Sequence, residues 1–293
     1  MSSQPEQTRQ KMTIPALAGK KQQGDPITML TAYDYSSALL VDKAGIDVIL
    51  VGDSLGMVMM GLDSTNPVTM DVMLHHCRMV ARGAKSAFLV GDMPFMSFQV
   101  SVKEAVRNAG RFLQEGGMEA VKLEGGRAMT SRVRAITRVG IPVMGHIGLT
   151  PQSVSSLGGY KVQGKTAVAA HTLYQDAIAL QEAGCFSLVL EAVPAPVAAE
   201  ISRRLDIPTI GIGAGAGCDG QVLVYHDLLG LFDKFQPKFV RQYANVGAQI
   251  VEALAQYRQD VADKTFPAEA HTFAMPADEM AEFVALVERE ASF

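Results

Sequence analysis

Tryptophan is absent and aromatic residues make up only 6% of the chain, and no stretch interleaves aromatics with a basic run. Lys and Arg number 26 against 30 Asp and Glu, a formal net charge of −4, so no basic stripe exists to neutralise a phosphate backbone. Nucleic acid is not expected as a partner. Cysteine is scarce too: Cys77, Cys185 and Cys218 are odd in number and far apart, which rules out a disulfide framework and a CxxC zinc or redox site. A reducing compartment fits that usage. Long apolar runs are also missing. The most apolar tract, 48–62, is broken by Asp53 and Ser54, short of the roughly 20 clean residues of a membrane span. Residues 1–24 are polar, rich in Gln, Ser and Lys, and lack the apolar stretch of a secretory signal. The expectation is a cytoplasmic protein with no membrane partner.

What is present is enough apolar material for a sizeable core, 48% against 19% charged residues, which excludes disorder as the dominant state. At 293 residues the chain could form one large domain or two small ones, and parallel α/β barrels use roughly 250 residues as one. Short β-branched runs recur at 27–33, 48–54, 87–94, 120–126, 142–149, 187–193, 208–215 and 222–225. Several are almost continuously apolar, as parallel strands covered on both faces are. Helix-like segments lie between them at 35–44, 69–85, 102–116, 131–139, 167–183 and 195–205, with Thr69 or Asp71 placed to cap the second and Gly45, Gly140 and Gly184 where helices stop. Eight β-then-α repeats predict an α/β fold, a (β/α)8 TIM barrel spanning 25–237, ahead of an open doubly wound sheet. From 238 to 293 the pattern turns helical, at 240–261 and 277–290. This extension is expected to pack on the barrel or on a neighbouring subunit.

In a parallel barrel the chemistry sits at the C-terminal strand ends. Here those ends carry Asp53-Ser54, Asp92, Lys122 with Glu124, His146 and Glu191. Carboxylates gathered in one mouth repel one another unless a cation joins them, and an oxygen-only ligand set favours a hard ion such as Mg2+ over zinc. Any single acid could instead cap a helix or bind water. Lys122 and Glu124 are two apart and so point to the same side of their strand, Lys122 towards a substrate anion or simply a salt bridge with Asp92 or Glu124. Glu191 lies between Leu188-Val189-Leu190 and Ala192-Val193-Pro194, an apolar setting suited to a general base or to a buried ion pair with a lysine. His146 could orient a water or a second carboxylate, or be a satisfied core histidine.

Two motifs mislead. Gly159-Tyr160-Lys161-Val162-Gln163-Gly164-Lys165-Thr166 spells GxxxxGK[ST], but Pro151 to Ser156 separates it from the preceding strand, so a lid over the barrel mouth is the better reading. Gly215-Ala216-Gly217-Cys218-Asp219-Gly220 spells GxGxxG, yet Val222-Leu223-Val224-Tyr225 beyond it looks extended, so these glycines serve a tight turn or a close backbone approach. His75-His76 diverge on a helix and make no metal pair, and Met57, Met59 and Met60 imply no cofactor.

Taken in order, Val51-Gly52-Asp53-Ser54-Leu55-Gly56, Gly91-Asp92-Met93-Pro94-Phe95, Val121-Lys122-Leu123-Glu124-Gly125-Gly126, Gly145-His146-Ile147-Gly148-Leu149-Thr150-Pro151-Gln152 and Gly158-Gly159-Tyr160-Lys161-Val162-Gln163-Gly164 resemble the ketopantoate hydroxymethyltransferase family. Phe266-Pro267-Ala268-Glu269-Ala270-His271 resembles its C-terminal segment. The resemblance implies a (β/α)8 fold and conversion of 3-methyl-2-oxobutanoate and 5,10-methylenetetrahydrofolate to 2-dehydropantoate, a step towards pantothenate and coenzyme A. It implies Mg2+ on Asp53 and Asp92, with Glu124 a third ligand, direct or through water. Asp53, Ser54, Asp92, Lys122 and His146 would form the substrate pocket, and Glu191 would accept the proton. A homo-oligomer, a decamer of two pentamer rings, is implied as well. The rivals are a lyase or mutase of the phosphoenolpyruvate-mutase type, whose Lys-Cys-Gly-His setting none of the three cysteines shares, and a barrel that only binds a ligand.

Overall fold

A computed structural model describes residues 9–232, 234 and 237–291; residues 1–8, which open the polar N-terminal stretch, and 292–293 lie outside that set. Two compact units result, Met1–Ala244 and Asn245–Phe293. The first begins with a helix that the sequence pattern did not flag, α1 (Ile14–Gln23), started by Thr13, whose hydroxyl accepts from the Ala16 amide, and stopped at Gly24 with φ 75°. Only Leu17 of α1 is buried, and it packs with the inward side chains of the strands.

Eight parallel strands come next and close on themselves in sequence order: β1 (Ile27–Thr31), β2 (Val48–Val51), β3 (Phe88–Asp92), β4 (Ala120–Glu124), β5 (Val143–Gly148), β6 (Ser187–Glu191), β7 (Thr209–Ile212) and β8 (Gly220–Leu223). The barrel is therefore the observed fold. Between the strands run α2 (Tyr35–Lys43), α3 (Leu55–Val58), α4 (Met70–Gly83), α5 (Val102–Gln114), α6 (Thr130–Arg138), α7 (Val154–Leu157), α8 (Ala167–Glu182) and α9 (Ala195–Arg204), with α10 (Tyr225–Leu229) after β8. Thr69, rather than Asp71, caps α4.

Two details depart from the expected pattern. β8 starts at Gly220, two residues before the predicted run, because Gly220 pairs with both Ile27 and Ile210. The chain then turns at Tyr225, whose amide donates to Thr31 Oγ1 at 2.9 Å, and continues into α10. The β7–β8 connection, 213–219, carries no helix. It lies directly on α9: a Cβ at Gly215 would meet Ala195 Cβ at 2.4 Å, and one at Gly217 would meet Ala199 Cβ at 2.5 Å. That is the close approach for which the GxGxxG glycines are needed, and no dinucleotide loop is formed.

The core has two shells. Val121, Leu123, Ile49, Val51 and Leu190 point outward and pack against the helices, whereas Phe88, Val90, Ala120, Met144 and Val189 point into the barrel. Below, Asp47 accepts from Arg9 Nη2 at 2.7 Å, Lys20 Nζ at 2.9 Å and the Thr28 amide at 2.9 Å, tying the N-terminal segment and α1 to the base of β1 and β2. The second unit holds α11 (Val246–Ala262), capped by Asn245, and α12 (Ala277–Glu290), with Phe266 between them edge-on to Tyr257 and tilted against His271. Among the described residues no helix is long and apolar enough to cross a membrane.

Candidate active site

Alternation along the strands builds the site. In β3 the inward column reads Phe88, Val90, Asp92; in β4 it reads Ala120, Lys122, Glu124; in β5, Met144 and His146; in β6, Val189 and Glu191. Each column starts apolar and ends ionisable. Strand register then sets neighbours side by side, Asp92 opposite Lys122 and Glu124 opposite His146. All of these polar residues line one cavity of about 360 Å3 at the C-terminal mouth, together with Asp53 and Ser54 after β2.

Lys122 Nζ stands 2.8 Å from Asp92 Oδ1 and 3.3 Å from His146 Nδ1. His146 is shared between two carboxylates, with Nδ1 3.5 Å from Glu124 Oε1 and Nε2 3.2 Å from Glu191 Oε2. The Asp53 amide donates to Asp92 Oδ2 at 3.3 Å, and Ser54 Oγ is 2.9 Å from the buried Tyr33 hydroxyl. The salt-bridge role open to Lys122 is thus realised with Asp92, and the ion-pair partner of Glu191 is a histidine, not a lysine.

Gln152 is the residue that sequence reasoning passed over. It sits in a short 3-10 turn, Pro151–Ser153, and is buried. Its Nε2 donates to Asp53 Oδ2 and to the Met93 carbonyl, each at 2.9 Å, while its amide donates to Glu124 Oε2 at 3.0 Å. One neutral residue therefore holds two acids, Asp53 through its side chain and Glu124 through its backbone amide. Its signal was its place in the Leu149-Thr150-Pro151-Gln152 run after β5.

The charges are crowded and dry. Burial, reinforced by Asp92 and Glu124, holds the Asp53 carboxyl well above its usual range. Burial also raises Asp92, with Glu124 adding to it and Lys122 opposing. For Lys122 burial works against the charge, but Asp92, Glu124 and Asp53 outweigh it and push its pKa up. Burial would raise Glu124 as well, yet its hydrogen bond with His146 and the nearby positive charges keep it below the ordinary value. His146 reaches about 9 despite burial and Lys122, because the adjacent Glu124 and Glu191 carboxylates favour its charged form.

Asp53 and Asp92 are the residues that could hold a divalent cation. They are buried carboxylates from adjacent strand ends, and Asp92 Oδ1, although beside Lys122, receives no well-aimed hydrogen bond. Among the described residues no three His, Cys, Asp or Glu side chains already form a cage. A Mg2+-class ion does not require one, since it takes one or two carboxylates and fills the rest of its octahedron with water and substrate oxygens. Residues Tyr160, Lys161 and Val162 of the false nucleotide loop line the same cavity, whereas Lys165 is exposed and Thr166 merely caps α8.

A family model described as ketopantoate hydroxymethyltransferase matches residues 11–269. The chain belongs to that family. Over 265 residues it is 58% identical to 3-methyl-2-oxobutanoate hydroxymethyltransferase of Moorella thermoacetica, covering 90% of this chain and 98% of the relative. The corresponding enzyme of Syntrophus aciditrophicus is 59% identical over 263 residues, 90% of this chain and 97% of the relative. Among solved structures, the chain resembles phosphonopyruvate hydrolase in complex with oxalate and Mg2+ at TM-score 0.59 and 12% identity, over 96% of this chain and 97% of the other. It also resembles 2,3-dimethylmalate lyase at TM-score 0.54 and 15% identity, over 95% of this chain and 96% of the other. At such identities the likeness to these hydrolase and lyase proteins is one of fold.

Proposed function

We propose that this chain transfers a hydroxymethyl group from 5,10-methylenetetrahydrofolate to 3-methyl-2-oxobutanoate, giving 2-dehydropantoate on the way to pantothenate. The observation that carries the reading is the juxtaposition, in one cavity of a chain from this family, of a proton acceptor beside an anion site: Glu191 against His146, next to Lys122 and the paired Asp53 and Asp92.

In the overall reaction the C3 proton leaves the oxo acid and one C–C bond forms to the donor's methylene carbon. Water supplies the hydroxyl group. Both C–N bonds to that carbon break, and their nitrogens end as N–H. Glu191 Oε2 accepts the C3 proton, and His146 fixes its orientation. Lys122 Nζ, held by Asp92, faces the anionic end of the oxo acid and the negative charge that develops on its keto oxygen. Ser54, anchored by Tyr33, donates to the same substrate. Asp53 and Asp92 would ligate Mg2+, with Glu124 a third ligand, direct or through water, and the ion would supply Lewis-acid polarisation of the keto group. Tyr160 and Val162 line the mouth, where closure over bound substrate would exclude water.

The test is Mg2+-dependent exchange of the C3 proton of 3-methyl-2-oxobutanoate into deuterated water, followed by product formation when the folate donor is added. Exchange without product would leave a ligand-binding or lyase-type barrel as the better account. We further infer a cytoplasmic homo-oligomer, decameric as the family resemblance implies. The exposed Ile250, Val251, Leu254 and Tyr257 of α11 support self-association, and the three free cysteines suit a reducing compartment. Sedimentation of the full chain as a monomer would overturn the assembly.

A further inference from the structure

The cavity at the barrel mouth is chemically divided. Its reacting groups come from β2 to β6, whereas the wall supplied by β7, β8 and the segment after β8 is apolar, formed by Ile212, Val222, Leu223, Val224, Phe232 and Phe239. One carboxylate interrupts that wall. Asp227, on α10, lines the cavity half-buried, and burial pushes its pKa up to about 6, with no hydrogen bond or ion pair to its side chain among the described residues. The helix that presents it is fixed at both ends, by the Tyr225 amide on Thr31 Oγ1 and by Gly230 at φ 66°.

A carboxylate without a partner in an apolar wall is costly unless a ligand pairs with it, and its best complement is a pair of coplanar, adjacent N–H donors. A small oxo acid held at the β2–β6 side leaves this wall free. Two exposed lysines, Lys161 and Lys238, also line the cavity. An occupant with a flat ring, two neighbouring N–H donors on one edge and an anionic tail satisfies all three features. Of the two substrates assigned above, only the folate has that chemistry.

We propose that Asp227 recognises the aminopyrimidinone edge of the folate donor, with Val224, Phe232 and Phe239 against the faces of its ring and Lys161 and Lys238 towards its glutamate carboxylates. The inference rests on the reaction proposed above. Glu191, on β6, stands at the boundary of the two arcs, where the oxo acid and the one-carbon unit must meet.

The test compares the parental protein with Asp227→Asn in two assays. C3 proton exchange of 3-methyl-2-oxobutanoate, run without any folate, reads the oxo-acid half alone; it should stay within about two-fold of parental. In full transfer the KM for 5,10-methylenetetrahydrofolate should rise roughly 10- to 100-fold, the effect of losing a charge-assisted pair. A donor analogue lacking the 2-amino group should carry a comparable KM penalty with the parental protein and little further penalty with Asp227→Asn. Intact exchange with unchanged donor KM would overturn the subsite, as would exchange lost in the variant, which would place Asp227 with the oxo acid. The parental protein supplies an arm that no folding defect can obscure: equal KM for the donor and its 2-desamino analogue overturns the proposal by itself. Absence of both exchange and transfer in the parental protein would overturn the reaction, and this subsite with it.

Discussion

Nε2 of His146 lies 3.2 Å from Oε2 of Glu191, while Nδ1 of the same ring lies 3.5 Å from Glu124 Oε1. The imidazole thus couples the solvent-side acid, whose side chain is 15% exposed, to one whose side chain is only 3% exposed. Glu191 lies against a neighbour that does not itself have to touch the oxo acid, which separates its orientation from the proton-accepting role proposed for it.

Replacing Glu191 by Gln keeps volume and hydrogen bonding but removes the acceptor. Binding of Mg2+ and 3-methyl-2-oxobutanoate should be nearly unchanged by calorimetry, while C3 exchange falls roughly 10²- to 10⁴-fold. Exchange at the parental rate would move the base elsewhere, with His146 next in line.

The two proposed metal ligands should behave differently. Asp53→Asn keeps the acceptor for Gln152 Nε2 and removes one of three crowded buried charges. The metal-free protein should melt no lower than the parent and bind the oxo acid without responding to Mg2+. Asp92→Ala strands Lys122, whose side chain is 5% exposed. It should cost about 3 kcal/mol of stability as well as metal response. Mg2+-dependent binding surviving in both variants would remove the metal assignment, as would full activity after exhaustive chelation.

Gln152→Ala frees Asp53 and the Met93 carbonyl without touching a charge. Metal affinity or turnover should drop roughly 10- to 100-fold, as for other residues that orient ligands. Gln152→Glu should lose more, because it sets a like charge against Asp53. Equal activity of Gln152→Ala and parent would reduce Gln152 to a packing residue.

At the floor of the barrel, Asp47 offers a pH test. Burial would raise its pKa, but hydrogen bonds from Thr28 and the ion pair with Lys20 prevail and hold it below the usual carboxylate value. A depressed carboxylate pKa stabilises the fold above the unfolded value and loses that contribution as pH falls through the folded one. Asp47→Asn should therefore cost about 2 kcal/mol near neutral pH, and the gap should close below about pH 4. Denaturant melts at several pH values would show it; a gap independent of pH would contradict the assignment.

The barrel and its acids were legible because parallel strands buried on both faces write continuous apolar runs that stop abruptly at Asp53, Asp92, Glu124 and Glu191. Less of the surrounding structure could be read. α1 buries only Leu17, so it carries almost no periodic signal. Val222 to Tyr225 has the composition of a strand, yet pairing with Ile27 and Ile210 pulls β8 back to Gly220 and releases Tyr225 into α10, which is why Asp227 went unnoticed. Gln152 was invisible as chemistry because a neutral amide neither titrates nor ligates strongly; only its two carboxylate neighbours reveal its role.

Along β3, β4 and β5 the inward column falls on even-numbered residues, from Phe88 to Asp92, Ala120 to Glu124 and Met144 to His146. The chemistry is therefore a matter of parity. One residue inserted or deleted within β4 would exchange Lys122 and Glu124 for Val121 and Leu123, burying two charges against the helices and lining the mouth with hydrocarbon. Length can change in the loops beyond the strands, such as 150–166, without disturbing that frame. In this protein the strands behave like a reading frame for catalysis, intolerant of any shift in count.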